Sequence, residues 1–125
     1  MDELIALLFL AREIAHREHL KTRSFAAHMA LGDFYADIVE KADAIAEAYQ
    51  GCEGKLLTIP YLKNTSKGSI EKILRDHTKW IEANRYKIIS KDETSIQNLI
   101  DEAVETYQRV LYKLKLDRKS TRLNS

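Results

Sequence analysis

The chain reads as an all-α protein, a four-helix bundle with a crossover segment between its second and third helices. Apolar residues return every three to four positions in four separate segments, and no stretch alternates with the two-residue period of a half-buried strand. Between the second and third segments, residues 51–69 hold three of the four glycines and the only proline, Pro60. That concentration marks the main break in the chain. A length of 125 residues suits one domain.

The first helix is predicted from about Asp2 to His19 or Leu20. Leu4, Leu7, Leu8, Ala11, Ile14 and Ala15 share one face, and Asp2 and Glu3 suit the positive end of its dipole. A short connection over residues 21–24 follows, and Ser24 is a natural N-cap for the second helix. Leu31, Tyr35, Ile38, Ala42, Ile45 and Tyr49 form one stripe of that helix, which is expected to stop at Gly51. It would hold about 25 residues and span about 37 Å. In the crossover, Leu56, Leu57, Ile59, Tyr61 and Leu62 are too apolar for a solvated linker, so a short turn of helix against the bundle end is expected. Ser69 caps a third helix, from Ile70 to about Ile89, that carries Leu74, His77, Trp80 and Ile81. The last helix begins at Thr94-Ser95-Ile96-Gln97, which reads as a capping box, and runs through Ile100, Tyr107 and Leu114. Trp80 and the six tyrosines read as core or interface packing, and His77 as an ordinary third-helix residue.

Composition narrows the classes. The longest apolar run, residues 4–11, is far below the roughly 18 to 20 residues that cross a bilayer. Acidic residues stand where a signal peptide would carry basic ones. A cytoplasmic protein with no membrane association is the expectation. The single cysteine, Cys52, can form no internal disulfide and reads as an incidental loop thiol. Residues 117–125, DRKSTRLNS, resemble a translated sequencing adapter, so residues 1–116 are taken as the bundle and 117–125 as a non-native tail. Without the tail, Lys plus Arg falls from 20 to 17 and Asp plus Glu from 19 to 18, turning the formal charge from +1 to −1. A balance so near neutrality supplies no electrostatic footprint for DNA.

Four side chains carry most of the chemical information: His16, His28, Asp43 and Glu47. The two carboxylates stand one turn apart in the string DAIAE, residues 43–47. At about 100° per residue, Glu40, Asp43 and Glu47 form a line rotated by about 120 to 180° from the apolar stripe of the second helix. One subunit would leave them in water. On the first helix His16 and His19 also lie outside the apolar face and could meet a neighbour's acidic line. A symmetric dimer would then form two equivalent sites. Imidazole nitrogen with carboxylate oxygen suits Fe(II), and Zn could occupy the same ligands.

These residues resemble the signature of the Dps-type mini-ferritins, DNA-protecting members of the ferritin-like superfamily. His16 corresponds to the family's first-helix histidine when no gap is allowed, His28 to its second-helix histidine, Asp43 to its aspartate and Glu47 to its glutamate. Tyr35 falls at its aromatic position. With three residues deleted before Phe25, His19 takes the place of His16. The H-x-x-H-L-x-T-x-S pattern of residues 16–24 is closest to small phage-encoded relatives. The resemblance implies a ferritin-like bundle, a homo-oligomer with Fe bound at a dimer-interface ferroxidase site, and a role against oxidative damage in the cytoplasm, a host's if phage-encoded. Gly32 replaces a further family aspartate, with Asp33 adjacent but rotated by about 100°. The space beside Gly32 is expected to admit a second iron or a water. The alternative is a non-enzymatic ferritin-like bundle, a phage structural or interaction protein without a working ferroxidase site.

Overall fold

The computed structural model describes residues 1–124, with side chains through Arg118, and the described chain holds four helices: α1 (Asp2–Lys21), α2 (Phe25–Glu53), α3 (Ile70–Ile88) and α4 (Thr94–Asn124). The all-α four-helix reading is therefore correct. Ser24 and Ser69 cap α2 and α3 as expected, accepting from the backbone N–H groups of Ala27 at 3.1 Å and Lys72 at 3.2 Å. Each bond satisfies one of the donors that a helix start leaves without an intrahelical acceptor. The helical backbone of α4 carries on through residues 117–124. Before it leaves the described side chains, Asp117 accepts from the Ser24 hydroxyl at 2.8 and 2.9 Å, and Arg118 bonds Glu71 at 2.9 Å. No described helix is long and apolar enough to cross a membrane.

Three local expectations give way. First, α2 runs past Gly51 to Glu53 and ends at Gly54, whose φ of 69° is the left-handed conformation that a side chain would resist. Cys52 accordingly sits in the last helical turn rather than in a loop. Second, Gln97 does not close a capping box. Its amide nitrogen turns back to the C-terminus of α3, donating to the carbonyls of Ile89 at 3.0 Å and, more weakly, Arg85 and Ser90, both at 3.4 Å. Third, residues 55–68 contain no helical turn. The reason is distance.

Ser24 at the start of α2 meets Asp117, and Glu71 at the start of α3 meets Arg118, so both helices begin beside the C-terminal part of α4. Cys52 at the end of α2 lies 3.8 Å from Glu93, just before α4. The chain must therefore climb about 25 residues of α4, about 37 Å, in about sixteen steps. That rise of about 2.3 Å per step exceeds the 1.5 Å of a helix, so the segment is largely extended. The outcome is a square bundle in which α1 and α4 each touch both α2 and α3 while the parallel pair α2 and α3 lie across the diagonal.

Leu4, Leu8, Leu31, Ile38, Ile45, Leu74, Ile81, Ile100 and Tyr107 are fully enclosed in its centre. Leu57 and Ile59 of the crossover pack on this core, while Leu56 and Tyr61 stand in solvent. Tyr86 and Tyr112 are exposed as well, so the tyrosines are only partly packing residues.

The α3–α4 hairpin is fixed by a buried guanidinium. Arg85, only 4% exposed, donates from Nε to Gln97 Oε1 at 2.9 Å and from Nη2 to the Gln97 carbonyl at 2.9 Å, and pairs with Asp101 at 2.6 Å. Breaking such a network leaves a buried charge and several α3 carbonyls without partners. Gln97→Ala is expected to lower unfolding free energy by about 3 kcal/mol in urea titrations, whereas Gln108→Ala, on the exposed face of the same helix, changes it by less than about 0.5 kcal/mol.

Candidate metal centre

The last turns of α1 and the first turns of α2 bring three histidines together. Thr22 ends α1 in an extended conformation, its N–H returning to the Glu18 carbonyl. Its hydroxyl accepts from the Ser24 N–H at 3.2 Å, so the reversal into α2 takes only three residues. His19 and His28 then face each other across the turn with rings stacked at 3.8 Å and 17°. The Nδ1 of His19 lies 2.6 Å from the His28 carbonyl, and the Nδ1 of His28 lies 2.8 Å from the His19 carbonyl.

A carbonyl oxygen can only accept, so each Nδ1 carries its proton and donates. In the neutral form of each ring this fixes the tautomer and leaves the lone pair on Nε2. A metal-binding imidazole is commonly held in this way, its other nitrogen donating to a backbone carbonyl. The His28 bond also satisfies one of the C-terminal carbonyls of α1. His16 stands one turn before His19, its ring stacked on Tyr35 at 4.3 Å and 6.2 Å from the His19 ring.

Gly32 has a different role from the one expected of it. A Cβ built at this position would lie 3.1 Å from His19 Cε1 and 3.2 Å from His19 Nδ1. The space beside it is filled by imidazole and does not admit a second iron or a water. The glycine lets His19 approach α2 closely enough to reach the His28 carbonyl. Gly32→Ala is expected to forfeit the gain of about 1 kcal/mol that removing a helix-interior glycine otherwise brings and to shift the His19 ring resonances. Full stabilisation with unmoved His19 signals would show that the contact yields freely.

Asp43 and Glu47 are exposed on α2, fifteen and nineteen residues beyond His28, about 22 and 28 Å along the helix. One protomer therefore gathers His16, His19 and His28 but not the carboxylates. Among the described residues no group of three or more His, Cys, Asp or Glu side chains is arranged to hold a metal ion. Asp43 borders a groove of about 610 Å³ whose apolar wall includes Phe9, Val39, Pro60, Tyr61 and Leu62.

A second polar arrangement escaped the sequence reading. His77 is 4% exposed in the core and its Nδ1 lies 3.0 Å from the hydroxyl of the fully buried Tyr107. The signal was its position: Ile73, Leu74, His77 and Ile81 follow one buried face of α3. Desolvation pushes the His77 pKa down from 6.5 to about 4, with Asp76 opposing weakly. In the unfolded chain the ring takes a proton near 6.5, while the folded ring refuses it until about 4. Stability is thus unaffected by this group above the upper value and is lost as pH falls through the window, by about 3 kcal/mol in total. Urea midpoints measured from pH 7 to 4 should fall less steeply in His77→Gln than in the parent; parallel curves would mean that the ring titrates normally in the fold.

The fold and the histidine cluster thus define a four-helix bundle with a lengthwise crossover and three histidines gathered at one end of its first hairpin. By sequence the chain belongs to the family described as a family of unknown function, DUF5856, whose pattern matches residues 19–114. That match spans His19, His28, Asp43 and Glu47 and leaves His16 outside. A further match is to the sporulation-specific chitinase 2 of Saccharomyces cerevisiae, 38% identical over 60 residues, which are 48% of this chain and 11% of that protein. The chain thus spans about a tenth of the length of that relative. No solved structure matches.

Proposed function

We propose that this chain is a Dps-like iron-binding protein that holds and oxidises Fe(II) at a site shared between two copies. His28, with His19 or His16, would come from one protomer and Asp43 and Glu47 from the other. The observation that carries this reading is the reciprocal pair of ring hydrogen bonds between α1 and α2, which presents two Nε2 lone pairs in fixed tautomers. The separation of the carboxylates supports the shared site. A two-fold axis crossing α2 near the exposed Ala36 would bring each His28 opposite the partner's Asp43 and Glu47.

Charge supports the same pairing. On the α1–α2 face Glu40 stands with the carboxylates, while Asp2 and Glu3 border hollows shared with α3 and the crossover; the histidine end holds Lys21 and Arg23, with Arg17 paired to Glu13. An antiparallel dimer sets each acidic end against a basic one. The apolar groove beside Asp43 would be covered at the same time. Zn would fit the same nitrogen and oxygen donors. A second reading, a non-enzymatic bundle that keeps the interface without productive iron binding, draws on His19. That ring is packed against Gly32 and His28, where the resemblance expects a carboxylate.

Anaerobic Fe(II) titration followed by admission of oxygen separates these readings. The parent is expected to take up iron stoichiometrically with the subunit, and His28→Ala and Asp43→Ala each to lose at least about tenfold in affinity. Mixing the two variants is the sharper experiment. In a mixed dimer one site loses both ligands and the other keeps both, so unfolding and reassembling an equal mixture should restore about a quarter of the parent's capacity. No uptake by the parent leaves the non-enzymatic reading; uptake without restoration in the mixture places the site within one protomer.

A further inference from the structure

The buried His77–Tyr107 pair faces a cavity on the other side of α1 from the histidine cluster. The Tyr107 hydroxyl has the His77 ring as its one partner among the described residues. If that hydroxyl accepted, its own proton would be buried without an acceptor, which folded proteins avoid. Tyr107 therefore donates, His77 Nδ1 accepts, and the neutral ring carries its proton on Nε2. Desolvation, which holds the His77 pKa down at about 4, keeps it in that neutral form.

The Nε2–H meets no acceptor in the described structure, yet no fully enclosed polar side-chain atom lacks a partner. It therefore opens at the surface of the cavity that His77 lines. This cavity, of about 350 Å³, lies between α1, α3 and the crossover, with Leu7, Leu10, Leu62 and Trp80 as its apolar walls. The crossover is anchored at its rim, since Asp76 takes a hydrogen bond from Ser66 and another from Lys72 at 2.8 Å. A small hollow with apolar walls, the buried His77 donor directed into it and the polar Asn64, Thr65 and Ser66 of the crossover along its edge has the usual form of a small-molecule site.

We infer that this cavity binds a small, uncharged, planar compound whose carbonyl oxygen or ring nitrogen accepts from His77 Nε2–H while its flat body lies against Trp80. Each part of the specification follows from a named group. The volume fits one or two rings. Trp80 and the leucines favour an aromatic or unsaturated body. Of the charged groups at the rim, Glu3 and Lys63 carry opposite signs and Asp76 is already paired with Lys72, so the rim has no net charge that selects an anion or a cation. A neutral imidazole offers no charge either, only a directional donor. Hydrogen bonding in series, Tyr107 to Nδ1 and Nε2–H to the ligand, strengthens that donor.

Trp80 is the only tryptophan of the chain; its ring borders this cavity and a second hollow beside Asn84 and Lys87, so its fluorescence reports binding and the His77 resonance assigns it to this cavity. Benzamide tests the proposal as a neutral planar acceptor, with benzoate, benzamidinium and isopropylbenzene as its anionic, cationic and acceptor-free counterparts. Benzamide is expected to change Trp80 emission saturably and to shift the His77 Nε2–H resonance, with each counterpart binding at least about tenfold more weakly. His77→Phe should weaken benzamide by at least about tenfold and leave isopropylbenzene unaffected. Tyr107→Phe, which frees the ring to change tautomer, should weaken benzamide as well. If neither variant folds, the four-compound comparison on the parent decides by itself. Absence of saturable binding, equal binding of benzamide and isopropylbenzene, or undiminished benzamide binding by His77→Phe would overturn the inference. None of these readouts depends on iron.

Discussion

The constraint on which the rest of this structure depends is the length of the climb between α2 and α3. Because the crossover returns along the bundle rather than turning at its end, α2 and α3 run parallel and must lie across the diagonal. Each then packs antiparallel against α1 and α4. A short hairpin in the same place would have made α2 and α3 antiparallel neighbours, as in a simple up-and-down bundle. In the observed arrangement α1 contacts both diagonal helices. One side of it meets α2 and builds the histidine cluster, and the other meets α3 and the crossover and encloses the cavity before His77.

Buried polar groups fix the register in which these helices meet. The core is lined mostly by Leu, Ile, Val and Ala, which would tolerate sliding by a turn with modest loss. Arg85 and Gln97 do not tolerate it. The guanidinium must reach both the side chain and the backbone carbonyl of Gln97, and the Gln97 amide must reach the last carbonyls of α3. The His77–Tyr107 bond makes the same demand two to three turns further along the hairpin. With no fully enclosed side-chain nitrogen or oxygen lacking a partner among the described residues, a shift in register would expose each of these groups to a full desolvation penalty.

Much of the fold was legible in the sequence because the signals were local. Ser24 and Ser69 each precede an amphipathic run and cap it in the structure, and three-to-four spacing of apolar residues located all four helices, with every boundary but the end of α4 within a few residues. The errors arose where tertiary geometry decided. Gly51 and Gly54 are both plausible stops, and only the left-handed φ at Gly54 distinguishes them. Gln97 stands at the right spacing for a capping box, but its partners, Arg85 twelve residues before it and the carbonyls of Ile89 and Ser90 eight and seven before it, are not local neighbours. The exposed positions of Asp43 and Glu47 followed from angular arithmetic on one helix, whereas the filling of the space at Gly32 required knowing where the next helix places His19.

The Gly32–His19 contact changes what the histidine cluster can do. An aspartate at that position would place a carboxylate beside the imidazoles and complete a larger ligand set within one protomer. With glycine there, His19 moves onto α2, and its Nδ1 is taken by the His28 carbonyl. The cluster becomes a pair of oriented, neutral nitrogen donors with no carboxylate of its own. Imidazole lone pairs supply no charge to offset a divalent ion, so an iron site of mixed imidazole and carboxylate ligands would draw its carboxylates from elsewhere. Asp43 and Glu47 lie about 22 and 28 Å away on a stiff helix, too far for side-chain motion to close. If the histidines bind a metal with carboxylates from this sequence, a second copy of the chain has to bring them, and metal binding and assembly become one equilibrium.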